Sequence, residues 1–422
     1  MKGSLYTNAC RTARLAAAAL ACFSGLLLAA AGQLDPTFGK NGKALTPFPV
    51  CPVFCGATPN AAALQSDGKI VVAGTINTAT GTGLVSVLVR YNSNGGLDNS
   101  FGSAGMTQLP SSTPGDGFFA VAIQTDGKIV AATAQQEKGN IVARFNANGT
   151  LDTTFATAGL AIFGNQNVSP RIPEGLVLQP DGKILLSYGA LTRLNTDGSL
   201  DTTFGSGGTA ATVGGQSVAL QSDGKILVGG GLTLSRYNSD GTLDTSFGIA
   251  GIAGSPAELN AVLFQGNGSI VTAGFLTTQP APSGSPLTEL AILRYTASGV
   301  PDTPFGTGGG AFAPPASSGF LSDAAAVAVQ TNGDIVADGL TMAVSGSAGA
   351  QFEVARFTGA GQIDPTFGSG GQVITSFGGT NEFATVVLLQ ADGKIVAVGN
   401  SSKVVNPSTT VSRFALARYL AQ

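Results

Sequence analysis

Carboxylates are the acid–base groups this chain offers in quantity. It has 422 residues, 24 Asp and Glu, 21 Lys and Arg, and no histidine. Without imidazole there is no Ser-His-Asp triad, no Cys-His dyad and no His-ligated metal. The remaining catalytic route is a pair of carboxyl groups, as in glycoside hydrolysis. Past residue 31 there are 18 Asp and six Glu. Seven Asp belong to an Asp-x-Thr-Phe phrase and five to Asp-Gly-Lys turns, where Asp suits an Asx-turn. Asp197, Asp240 and Asp334 sit in other turns. Glu137, Glu174, Glu258, Glu289, Glu353, Glu382, Asp116, Asp323 and Asp338 lie outside all of these. Nothing in their spacing brings two together. No catalytic residue, cofactor site or metal site is therefore assigned. Asp197-Gly198 and Asp240-Gly241 supply too few oxygens for a calcium loop.

The other charges are as sparse. The formal net charge is -3 and charged residues are 11% of the chain. An ordinary soluble domain carries about 25%. No basic stripe is available to neutralise phosphates, which argues against nucleic acid.

The N-terminus reads as an export leader over residues 1–31. Lys2, Arg11 and Arg14 precede an apolar run from Leu15 to Ala31, which ends in Ala29-Ala30-Ala31. That is a small-residue cleavage pattern with Gly32 as the first mature residue. Lipidation at Cys22, after Ala19-Leu20-Ala21, is the alternative. No later segment has spanning length, so residues 32–422 are expected as one secreted, periplasmic or cell-surface domain. They retain Cys51 and Cys55, spaced for a short-loop disulfide.

Three phrases recur in fixed order, each seven times. Gln-x-Asp-Gly-Lys-Ile-Val types begin at Gln65, Gln124, Gln179, Gln221 and Gln390, with degenerate copies at Gln265 and Gln330. An Arg follows at Arg90, Arg144, Arg193, Arg236, Arg294, Arg356 and Arg418. Asp-x-Thr-Phe-Gly types begin at Asp35, Asp98, Asp152, Asp201, Asp244, Asp302 and Asp364. The mean period is about 54 residues. Short β-branched runs flank each Asp-Gly turn, and no 3.6-residue apolar period stands out. Four short strands per unit predict propeller blades.

Each Arg from Arg90 to Arg356 precedes an Asp by eight residues, across a turn such as Ser93-Asn94-Gly95. A three-residue hairpin loop would set them opposite each other, so the spacing predicts one structural ion pair per blade. Arg418 has no Asp after it, whereas Asp35 has no Arg before it. The ends therefore complement each other, and the predicted fold is an all-β, seven-bladed propeller closed by shared N- and C-terminal segments.

These phrases, typified by Leu64-Gln65-Ser66-Asp67-Gly68-Lys69-Ile70-Val71-Val72-Ala73-Gly74, Arg90-Tyr91-Asn92 and Leu200-Asp201-Thr202-Thr203-Phe204-Gly205, resemble the bacterial delta-60 repeat family. The resemblance spans residues 33 to 420. It implies an exported or surface-associated bacterial propeller and brings no catalytic residues. The expected role is a protein-interaction or structural module whose partner is another envelope or extracellular protein. A glycan partner is weakened by the absence of Trp and only 6 Tyr. A carboxylate-dependent hydrolase is the alternative. The long Gly-, Ser-, Thr- and Pro-rich connections, such as Thr277 to Leu290, mark the expected interaction face.

Overall fold

A computed structural model describes residues 30–422, apart from 47, 49–55, 78–82, 111–114, 136–137, 165–171, 213–214, 216, 281–285, 316–319, 344–348 and 407–408. Cys22, Cys51, Cys55 and all but residues 30 and 31 of the expected leader lie outside the described residues.

The first repeat shows how the sequence makes a sheet. Ala57–Leu64 pairs antiparallel with Ile70–Asn77, which pairs with Leu84–Tyr91, which pairs with Met106–Gln108. The first two strands meet at Leu64 opposite Ile70. Between them Gly68 takes φ 82°, and the Asp67 carboxylate accepts the Lys69 N–H at 3.1 Å. Asp and Gly are thus fixed by turn geometry. Ile70, Val71, Val72 and Ala73 are all fully buried, because neighbouring sheets cover both faces. That explains a continuous apolar run rather than an alternating one.

Among the described residues the strands form six sheets, so the expectation of a seven-bladed propeller is corrected to six blades. Five sheets have four strands and one has six. The six-stranded sheet carries the fourth and fifth repeats. In the compact fourth repeat, Ile226–Tyr237 runs as one strand of 12 residues, bending at Gly231 with φ 56°. Ile252–Phe264 is likewise continuous over 13 residues. Its first part pairs back to the fourth repeat (Ser235 opposite Ile252), and its second part pairs forward into the fifth (Ala261 opposite Ala273). With no long connection to interrupt them, the two ladders fuse.

The termini share a sheet. Lys43–Leu45 pairs with Thr409–Tyr419, Lys43 opposite Ala417. The repeats pack through apolar clusters between successive sheets. Each Phe of an Asp-x-Thr-Phe phrase reaches into the cluster it shares with the following repeat. Phe101 packs with Ile129, Ala131 and Phe145, and Phe155 with Ile184, Leu186 and Leu194. The turn glycine of the following repeat roofs that ring. Gly241 has φ 88°, and a Cβ there would lie 2.9 Å from the Phe204 ring.

Phe204 is fully buried. Phe204→Ala is expected to cost about 3–5 kcal/mol, read as a lower urea midpoint with unchanged slope. Gly241→Ala should destabilise as well, by strain at positive φ and by the clash with that ring. Wild-type midpoints in both variants would contradict this packing.

Candidate functional site

The predicted ion pair is present in every repeat. Arg90 Nε donates to Asp98 Oδ2 at 2.9 Å. The same bond is 2.7 Å for Arg144–Asp152, Arg193–Asp201, Arg236–Asp244, Arg294–Asp302 and Arg356–Asp364. Arg418 Nη2 reaches Asp35 Oδ2 at 2.9 Å, joining the two chain ends. The hairpin is as read: Asn92 and Gly96 pair around Ser93-Asn94-Gly95, and the Asp98 N–H donates to the Arg90 carbonyl.

Two further contacts make each pair a clasp between repeats. The guanidinium lies over the Phe of its own Asp-x-Thr-Phe phrase, with the Arg193 carbon 4.5 Å from the Phe204 centroid. Its Nη1 donates to a turn carbonyl of the next repeat: Arg144 to Thr196 at 2.8 Å, Arg294 to Gly359 at 2.7 Å, Arg356 to Ala421 at 2.6 Å. In six repeats the other Asp oxygen accepts from the Thr or Ser two places on, as from Thr154 Oγ1 to Asp152 Oδ1 at 2.6 Å, whereas Asp302 is followed there by Pro304. The seven arginines are thus occupied by protein rather than forming a ring of anion sites.

Sequence reasoning missed the lysine. Lys128, Lys183 and Lys394 bring Nζ within 3.0, 3.0 and 3.2 Å of Asp152, Asp201 and Asp35, and Lys225 within 2.6 Å of Asp244. The signal available was the position of Lys just past the turn, in step with the Asp. Lys69 differs: it bonds Asp67 of its own turn. At Asp35, burial pushes the carboxyl up. The Thr37 hydrogen bonds, Lys394 and Arg418 outweigh it and bring the pKa down to about 2.

The acids outside the repeats divide. Glu382 is buried and serves as a loop cap, accepting N–H bonds from Phe377 at 3.0 Å and Gly379 at 2.8 Å. Asp323, Asp338 and Glu353 are brought together on one sheet, on the strands Phe320–Val329, Ile335–Ala343 and Gln351–Phe357. Asp116, Glu174, Glu258 and Glu289 lie on other sheets or connections, and Glu137 is outside the described residues. Asp338 stands where other repeats have Ala73, Ala132, Ala273 and Val398. Glu353 pairs with Gly339 where Val87, Ala291 and Ala415 pair with Gly74, Gly274 and Gly399. Both are fully buried. Asp323 accepts from Asn260 at 2.9 Å and Glu353 from Gln372 at 3.0 Å. Burial lifts Asp323 to about 7, against the lowering bond from Asn260. Burial lifts Glu353 to about 7 as well, opposed by Ser322 and assisted by Asp323. Burial raises Asp338 well above the carboxyl range.

The turn face carries a cavity of about 1080 Å³ between the first and second repeats. Gln65, Lys69, Arg90, Gln124, Asn148 and Leu389 are among its lining residues, and none of the three clustered acids reaches it. Among the described residues no group of three His, Cys, Asp or Glu side chains could hold a metal ion. No helix among them is long and apolar enough to cross a membrane.

Two measurements test these assignments. Arg356→Ala or Asp364→Ala, in a repeat with no turn lysine, should each cost about 3–5 kcal/mol, as each leaves a buried charge without its ion-pair partner, and the double variant should cost less than the sum. Additive costs would exclude the pairing. Thermal stability should also fall as pH rises from the ordinary carboxyl range through about 7, because Asp323 and Glu353 hold their protons longer in the folded state. At the acid end the Asp35 contribution should be lost as pH drops from about 3.8 through about 2. The neutral-range loss should shrink in an Asp323→Asn/Glu353→Gln variant.

A family model described as a domain of unknown function (DUF5122) beta-propeller matches residues 65–101, 124–155, 179–204, 221–247 and 390–422. No curated protein matches. Among solved structures, the extracellular domain of the hybrid two component system BT4673 from B. thetaiotaomicron is 15% identical with a TM-score of 0.47. The match covers 90% of this chain and 40% of that one, so the chain spans about two fifths of its length. A protein of unknown function from Bacteroides caccae is 10% identical with a TM-score of 0.38, covering 85% of this chain and 99% of that one.

Proposed function

We propose that this chain, which carries repeats of a β-propeller family, is exported and acts outside the cytoplasm as a scaffold that binds another protein. We assign its repeats to the delta-60 type on the phrases quoted above. The observation that carries the reading is where the charge goes. All seven repeat arginines, and four of the five lysines in the Asp-Gly-Lys turns, are spent on contacts that hold the ring together. Of the three clustered acids Asp338 and Glu353 are fully buried and Asp323 is half-buried, and none of them lines the large cavity. What remains for function is shape and the irregular surface, which suits a binding module better than a hydrolase.

The partner surface proposed is the face opposite the Asp-Gly-Lys turns. There the hairpin of Ile395–Asn406 and Thr409–Tyr419 projects, with Val404 52% and Val405 54% exposed. The test is capture from the envelope fraction at low and high salt, with wild type and a Val404→Asp/Val405→Asp variant of unchanged thermal stability. A protein retained by wild type at both salts and lost by the variant is the expected result. Recovery of no partner at either salt would sink the interaction reading.

A further inference from the structure

The seven inter-repeat links include one that bears on where the leader ends. In six repeats the residue after the Asp-x-Thr-Phe phenylalanine donates its N–H to a turn carbonyl of the following repeat. Gly39 donates to Asn94 at 2.7 Å, Gly102 to Asn148 at 2.8 Å and Ala156 to Asp197 at 2.7 Å. Gly205 donates to Asp240 at 2.7 Å, Gly248 to Ser298 at 2.8 Å and Gly306 to Ala360 at 2.9 Å. Each acceptor is the residue just before the turn glycine.

The seventh donor is Gly368, and its acceptor is the carbonyl of Ala31, at 2.9 Å. Ala31 precedes Gly32, which has φ 82° like the other turn glycines. The rest of this turn is rebuilt from both ends of the chain. The Gly32 N–H donates to Leu420 at 2.8 Å, and the Leu420 N–H donates to Gln33 at 2.9 Å. These are the counterparts of Gly95 to Asn92 and Asn92 to Gly96 in the first repeat. Ala31 is also 8% exposed and packs in the cluster that holds Phe367 and Tyr419. Its backbone and its methyl group therefore both belong to the folded ring.

We infer that the leader is hydrolysed on the N-terminal side of Ala31, so that the mature chain keeps Ala31 and does not begin at Gly32. The inference rests on the export reading above. The cut is an amide hydrolysis by a leader peptidase: water supplies the hydroxyl of the new carboxylate on the leader, and the leaving nitrogen takes the proton to become the new terminal ammonium. A cut inside Ala29-Ala30-Ala31 and a cut before Cys22 both satisfy it. A cut between Ala31 and Gly32 removes the seventh acceptor and places an ammonium group inside the split turn.

The experiment is N-terminal sequencing and intact mass of the protein recovered from the extracytoplasmic fraction after expression of the full chain. A first residue at Ala31 or upstream of it is expected. A first residue at Gly32 overturns this inference and leaves export standing. An uncut chain retained in the cytoplasm overturns the export reading and this inference with it. As a second measurement, leaderless chains beginning at Ala31 and at Gly32 are compared by thermal unfolding. The Gly32 chain should melt lower, and equal melting temperatures would remove the physical ground for the inference.

Discussion

A buried guanidinium is the constraint on which the ring depends. Arg90, Arg144, Arg193, Arg236, Arg356 and Arg418 are each 5–8% exposed, too little for water to solvate the charge. Leaving such a charge unpaired costs several kcal/mol. The Asp eight residues on neutralises it, the Thr or Ser two places further occupies the other Asp oxygen, and the Phe offers its ring face. The recurring phrase is thus one device whose letters have separate duties. The arginine Nη1 donates to a carbonyl of the next repeat. Each repeat can satisfy its arginine only if its neighbour is in place. That couples the repeats more tightly than apolar contact alone, which is nondirectional.

The same device explains the sparse charge of the chain, because an interior made of sheet faces tolerates ionised groups only where partners converge. Lys is the optional member. Where it is Ser269 or replaced by Asp334, the Arg–Asp bond is still 2.7 Å. The sixth repeat breaks the economy in a different way. Asp338 and Glu353 replace apolar residues with acids, and among the described residues neither has a cation in salt-bridge contact. The protein tolerates them by holding their protons, at a cost that grows as pH rises.

Period, strand order and turn chemistry were legible in the sequence because they depend on neighbours within a few residues. The Arg–Asp pair was legible for the same reason, since a hairpin sets residues eight apart face to face. What escaped reading lies across repeats. The Arg144 contact with Thr196 spans 52 positions and no spacing announces it. The fusion of the fourth and fifth repeats into one sheet escaped too. It depends on whether the bend at Gly231 interrupts a ladder, and three successive glycines, Gly229 to Gly231, are compatible with either outcome. The acid cluster occupies a middle ground. Laying the repeats in register exposes Asp338 and Glu353 as substitutions for small or apolar residues, but their sharing one sheet's interior needed the fold.

The seventh turn is built from two separate pieces of chain, and the ring is in effect a circle with one nick. Six equivalent turns are continuous, so the covalent break could sit in any of them without altering the contacts that hold neighbours together. A circular permutant joining Ala421 directly to Ala31 would restore the seventh turn and could be reopened at Ser93-Asn94-Gly95. The nick also gives the disc a handle. Whatever is attached beyond either terminus departs from the side bearing the Asp-Gly-Lys turns, and the face with the long hairpins is displayed away from the attachment.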